Sequence, residues 1–524
     1  MKQIYDYIVV GAGAGGCPVV ARLVEAGMNV LLIEGGPSND IDSIKSGNNI
    51  GDMFSLWGSQ YDWKYETTAT SGVNNRSIPL TQGKVFGGGT SINAMMYVRG
   101  SSKDYDRWSS YGNDGWSYKE VLPYFKKSEN YNGVHQRKGL FSKFFRRSYH
   151  GSDGPLSVID LPSPSKLTQS IISGIDALKF DNQNFDYNGK KHDGGAFCYQ
   201  TTRYPDQTRC DTYTAFVKPL ERSTKLDIVN NATVTKLIIE DGRVTGVTFM
   251  REGVEQSSSV RYEVVLAAGA LATPKILMLS GVGDENDLKA AGIDVVHALR
   301  GVGKNLQDHM WLGVGFASKK EIDPPQLLCE AGLFTYVVSK KSSLVSPDLQ
   351  FFFSTVQFVD PEYQISEPAF TLAPVLARPK SIGYVKLLTK NPDDLPEVNP
   401  NYLSHPDDVE VMLKGIEIAR KVAHLSTVSD YFEREIAPGS DKVTKEDLTK
   451  FIRQSSKTVW HPCGTCKMGI DKDAVVNSRL KVIGLDGIRI ADASIMPDIT
   501  SGNTNAPTIM IGEKAAAMIL EDNH

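Results

Sequence analysis

The chain has 524 residues, 41% of them hydrophobic and 23% charged, and a formal net charge of −4. This balance excludes a disordered or fibrous chain and gives nucleic acid or an anionic membrane no electrostatic handle. Length allows about three domains, or two large ones, with ample core.

Six cysteines, at positions 17, 198, 210, 329, 463 and 466, are too few and too scattered for a secreted disulfide framework. No run approaches the roughly 20 apolar residues that span a bilayer. A strand-like segment and its glycines open the sequence and leave no room for a signal peptide ahead of them. The expectation is a cytoplasmic protein without a transmembrane segment.

Ile4 to Val10 reads as a buried strand, "CPVVARLVEAG" as a helix and "MNVLLIEGG" as a second strand. This β-α-β order predicts a parallel sheet. Gly11, Gly13 and Gly16 form a GxGxxG between the first strand and the helix. Such glycines permit the tight turn, the approach of backbone to a pyrophosphate and close helix–strand packing, with the helix N-terminus facing the phosphates. Glu34 closes the second strand about 20 residues on, where a carboxylate accepts hydrogen bonds from a ribose diol and repels a 2′-phosphate. The reading is an adenine dinucleotide site, open between NAD and FAD.

From Trp57 to Gly100 the chain is rich in Gly, Ser, Asn and Thr, with glycine at 87, 88 and 89. Residues 135–150, "HQRKGLFSKFFRRSYH", carry seven Lys, Arg or His and three phenylalanines. They read as a solvated surface loop, with a lid or partner patch as the sharper alternative. Two strand-like runs follow, "KLDIVNNATVTKLIIEDGRVTGVTFM" and "YEVVLAAGALATPKILMLSG", the second passing directly into a helix. Residues 310–455 predict an antiparallel sheet inserted between two pieces of the first domain. Phe351 to Phe353 are read there as sheet core.

"WHPCGTCKMG" at 460–469 admits a metal site, a redox dithiol or a catalytic histidine on a turn. No second Cys or His pair exists at ligand spacing, so no metal is expected. The dithiol lacks the β-α pattern that activates one, and Cys463 and Cys466 are read as packing residues.

The glycine-rich stretch 83–100, "GALATPKILMLSGVG", "GVGKNLQDH" and the C-terminal segment together resemble the glucose-methanol-choline family of flavin oxidoreductases. Choline dehydrogenase-like and hydroxymethylfurfural or aryl-alcohol oxidase-like members are nearest in pattern. The resemblance implies α/β plus α+β architecture. A Rossmann-like FAD domain would comprise 1–155, 206–309 and 456–524, and a substrate domain on an antiparallel sheet 156–205 and 310–455. It implies FAD in contact with Gly11, Gly13, Ala14, Gly16, Glu34, Trp63, Gly89, Asn93, Ala94, Met96, Val234, Asp492, Asn505 and Ala506. Ile92 stands where some members carry a flavin-linking histidine, so the FAD is expected to be non-covalent. His461 falls on the family's catalytic histidine and Asn505 on its partner. The implied reaction is oxidation of a primary alcohol to the aldehyde by hydride transfer to the flavin with His461 as general base, and oxygen, a quinone or a dye as acceptor; a lyase of the same family that binds FAD without net redox turnover, or a non-catalytic flavin-binding protein, stands as the alternative.

Overall fold

The computed structural model describes residues 4–47, 49–133, 149–180, 182, 183 and 185–522. The basic aromatic segment at 135–150 lies almost wholly outside them. In chain order the first layer comprises β1 Ile4–Val10, α1 Gly16–Glu25, β2 Val30–Ile33, β3 Leu226–Val229, β4 Ala232–Glu240, β5 Arg243–Arg251, β6 Val254–Leu266, α2 Gly269–Leu279, β7 Ile488–Ile490 and α3 Asn505–Asp522.

The strands form one sheet in the order β3-β2-β1-β6-β5-β4, with β7 beside β6. The β1 strand runs parallel to β2 and β6, and β3 and β7 extend this parallel core. Strands buried on both faces need apolar side chains in succession, not in alternation. "VLLI" at 30–33 is accordingly buried at every position. The first of the two strand-like runs divides into three strands. Asp241 and Gly242, both at positive φ, fill the two-residue hairpin between β4 and β5, where a Asp-Gly pair matches the twist of the flanking strands.

The last helix is buried along nearly its whole length and packs on α1. Arg22 of α1 grips the fully buried Glu513 at 2.7 and 2.9 Å. Where the two backbones meet, a Cβ on Gly512 would lie 2.2 Å from the Gly15 carbonyl oxygen. The C-terminal helix therefore rests on the glycine turn itself.

The second layer is a nine-stranded sheet. Its antiparallel centre pairs Val314–Ser318, Ala369–Leu376, Leu349–Ser354, Ala331–Thr335 and Gly195–Cys198 in that order. The helix Pro406–Ala423 covers one face, where Phe351 and Phe353 join Met412 and Ile416. Successive strand residues point to opposite faces, so Phe352 departs from its reading as sheet core and packs on the other face, with Trp311 and Leu328. Among the described residues no helix is long and apolar enough to cross a membrane.

Gly512→Ala should be destabilised by about 1–3 kcal/mol through overpacking, read as a melting temperature lowered by several degrees. Gly89→Ala, whose added Cβ would meet nothing within 4 Å, should melt like the parent chain when both are stripped of bound ligand.

Candidate active site

A cavity of about 430 Å³ runs from the glycine turn to the uncovered face of the second sheet. Gly11, Gly13, Ala14, Glu34, Trp63, Gly89, Asn93, Ala94, Met96, Val234, Asp492, Asn505 and His461 all line it. Gly16 and Ala506 are not on its wall. Gly16 lies under the turn, where a Cβ would fall 1.9 Å from the Gly11 carbonyl oxygen. Ala506, in the first turn of α3, is buried in the core.

The glycines divide by the space above them. At Gly89 and Gly269 an added Cβ meets nothing within 4 Å, and at Gly13 only Gly88 Cα at 4.0 Å. These bare positions on the cavity wall make a cradle into which an extended diphosphate fits. Glu34 accepts the N–H groups of Ala12 and Gly36, each at 2.9 Å, and burial pushes its carboxyl up to about 7. Asp492 accepts from Gly269 N–H at 2.9 Å and the Thr273 hydroxyl at 2.6 Å, which ties the start of α2 to the loop after β7. Both acids thus shape the backbone around the cradle.

At the far end stand two histidines, His309 fully buried and His461 partly exposed, with Nδ1 of His309 3.0 Å from Nδ1 of His461. His309 Nε2 lies 3.1 Å from the Ala377 carbonyl oxygen. A carbonyl only accepts, so His309 carries its hydrogen on Nε2 and its Nδ1 is an acceptor. His461 therefore donates from Nδ1, and its Nε2 holds a lone pair. Burial pushes His309 down to about 4 and holds His461 well below the usual imidazole range, with its histidine neighbour adding to the effect. Both rings are neutral at neutral pH.

The Asn503 amide nitrogen lies 3.3 Å from His461 Nε2. Gln350 Nε2 donates to Asn503 Oδ1 at 3.3 Å and so turns the amide hydrogens toward the ring. The family resemblance pairs Asn505 with His461; the asparagine within hydrogen-bond reach of the ring is Asn503. The reason is local. Residue 505 is the first of α3, whereas 503 lies in the bend that precedes it.

Trp460 adopts φ +62, a left-handed conformation that strains a bulky side chain. Its N–H donates to Thr458 Oγ1 at 2.7 Å, and the Thr458 hydroxyl donates to Asp308 at 2.5 Å. Asp308 also accepts the His461 N–H at 2.8 Å and the Tyr402 hydroxyl. Burial pushes the Asp308 carboxyl up to about 6, against these donors.

Asp308, His309 and Asn503 were not singled out from the sequence. The available signal was "QDH" directly before the apolar "MWLGVGF". An acid and a histidine entering a buried strand must find partners. Cys463 and Cys466 are buried free thiols whose pKa burial holds well above the ordinary range, the reverse of a redox thiolate.

A dinucleotide cradle continuous with a neutral histidine on the cavity wall is the site of a flavin-dependent oxidoreductase. The family model described as GMC oxidoreductase matches residues 5–311 and 379–512, and the chain belongs to that family. It is an FAD-dependent enzyme acting on CH–OH donors, with a small-molecule alcohol as substrate. It is 37% identical to an alcohol dehydrogenase (acceptor) of Pseudomonas putida, over 99% of this chain and 96% of the relative. It is 34% identical to an oxygen-dependent choline dehydrogenase of Sinorhizobium medicae, over 98% and 95%. Among solved structures, pyridoxine 4-oxidase from Mesorbium loti superposes with a TM-score of 0.89 at 28% identity, covering 99% of each chain.

Glu34→Ala removes the acceptor for Ala12 and Gly36 and any bond to a ribose. Hydrogen bonds to a charged group are worth about 1.5–3 kcal/mol, so FAD affinity should fall by roughly 10- to 100-fold in a fluorescence titration of the apoprotein. Unchanged affinity would place the carboxylate away from the cofactor.

Proposed function

We propose that the protein oxidises a primary alcohol to the aldehyde with His461 as general base. The observation that carries this reading is the histidine pair, because it leaves a neutral imidazole with its Nε2 lone pair beside an amide donor on the cavity wall.

FAD held in the cradle would supply the two-electron acceptor for the hydride that leaves the alcohol carbon. Within the chain, His461 Nε2 takes the hydroxyl proton as that hydride departs, and the carbon–oxygen single bond becomes the carbonyl. A base so placed contributes about 10²–10⁴-fold. The resulting imidazolium keeps its Nδ1–H on the neutral His309, which fixes the ring plane throughout. The Asn503 amide donates to the oxygen as negative charge develops on it, and Asn505, on the same wall, serves the same oxygen.

Gly13, Gly89 and Gly269 would leave room for the diphosphate, and Glu34 would hold the adenosine ribose. Asn93, Ala94 and Met96 would hold the flavin, and Val234 the adenine. Ile92 offers no nucleophile, so the cofactor would be held without a covalent link. Oxygen, a quinone or a dye would serve as the final electron acceptor. In this reading 1–155, 206–309 and 456–524 hold FAD, while 156–205 and 310–455 shape the alcohol pocket.

His461→Ala should keep the FAD spectrum and slow anaerobic flavin reduction by alcohol about 10²-fold or more. Asn503→Ala and Asn505→Ala should each slow the same step less, and each should add less than its full factor to His461→Ala, since all act on one oxygen. Cys463→Ser and Cys466→Ser should leave it nearly unchanged; a reversal of this order in stopped-flow traces withdraws the mechanism.

The pH profile gives a separate check. His461 is depressed well below the ordinary imidazole value, so its base form is fully present at neutral pH and is lost only as pH falls through that lowered value. The reduction rate should therefore stay level from about pH 8 to 6.5, where an unperturbed imidazole would already have lost half its base form.

A further inference from the structure

Around His461 the cavity carries aromatic walls and no anion. From this we infer that the substrate is an uncharged alcohol with an apolar or aromatic body, and that quaternary-ammonium alcohols are discriminated against. The inference rests on the reading of His461 as the base in alcohol oxidation.

The walls are rings packed on one another. Trp57 and Trp460 have centroids 4.4 Å apart, and Trp311 stacks on Phe358 at 4.5 Å. Leu328 and Phe352 close the pocket on the second sheet. Aromatic faces attract a cation, but most strongly when a carboxylate offsets its lost hydration.

Among the described residues, three acids line the whole cavity: Glu34, Asp393 and Asp492. Glu34 and Asp492 are engaged at the cradle, and Asp393 sits beside Lys275 over α2.

Among the described residues, the acids behind these walls have partners of their own, Asp104 among them, paired with Arg107. Asp308 spends its oxygens on Thr458, Tyr402 and the His461 N–H. Glu330 is buried on the helix side, bonded to Ser165 and Thr168. Asp360 lies in a separate recess behind Trp311 and Phe358 and is paired with Lys457 at 2.6 Å. A trimethylammonium group would therefore be desolvated against the rings with no carboxylate on the wall to touch it; the Asp308 charge lies behind the His461 backbone.

The chemistry sharpens the argument. When His461 takes the hydroxyl proton, a second positive charge appears in the same water-poor pocket, and two like charges there repel strongly. A neutral alcohol meets neither penalty.

The test is a pair of alcohols of one shape. Choline and 3,3-dimethylbutan-1-ol differ by nitrogen for carbon, hence by charge alone. With the FAD-loaded wild-type enzyme, the neutral isostere should reduce the flavin anaerobically with kcat/KM about 100-fold above choline. Benzyl alcohol should also reduce it. Choline equal to or better than its isostere overturns the inference and leaves the alcohol-oxidation reading standing.

If no alcohol reduces the flavin, that reading falls. The inference is then decided by binding, through perturbation of the flavin absorbance by each compound, with tighter choline binding overturning it. Cys329→Asp, which places a carboxylate on the pocket wall, should narrow the ratio at least tenfold. Should that variant fail to fold, the wild-type pair still decides.

Discussion

The grip of the Asp308 carboxylate on the Thr458 to His461 turn is the contact on which the site depends. A left-handed tryptophan does not persist unless its surroundings over-determine it. Here three donors converge on one buried acid, and one of them is the peptide N–H of His461 itself. The residue next in sequence, His309, holds the ring of the same histidine through Nδ1. Consecutive residues of an extended chain point in opposite directions, so one dipeptide fixes both the backbone and the side chain of the base. A histidine on a free loop would lose these constraints and the orientation that makes its lone pair useful.

Much of this architecture is legible in local pattern. The parallel core follows from apolar runs around a glycine turn, the β4–β5 hairpin from Asp241-Gly242, and the inserted sheet from short strands broken by Pro, Asp and Asn. What pattern does not reveal is which residue of a short polar stretch points where. "GNTNAPT" holds two asparagines, and only the start of α3 decides that 503 meets the His461 ring. Phe352 and its two neighbours share one composition and one run; the phase of the pleat separates pocket from core. His309 was hidden for another reason. Its partner lies more than 150 residues away in sequence, so its role exists only in the folded chain.

The two cysteines of "HPCGTC" illustrate how burial overrides motif. Cys-x-x-Cys chemistry requires a thiolate, and a thiolate requires nearby positive charge or free backbone N–H groups. Cys463 and Cys466 have apolar surroundings that favour the neutral thiol, together with nearby acids Asp308 and Asp492 that push in the same direction. Their service is volume. They fill the space under the turn where a larger side chain would displace His461, while Gly464 at φ +86 lets the backbone pass close to Asn305.

The seating of Gly512 on Gly15 has a consequence for biosynthesis. The glycine turn leaves the ribosome early, but the helix that buttresses it is separated from it by roughly 500 residues, about half a minute to a minute and a half at ordinary elongation rates. Throughout that interval the nascent turn lacks the α3 backbone against which it packs and the Glu513 that clasps Arg22. The packing that backs the nucleotide site is therefore completed only once α3 has been made.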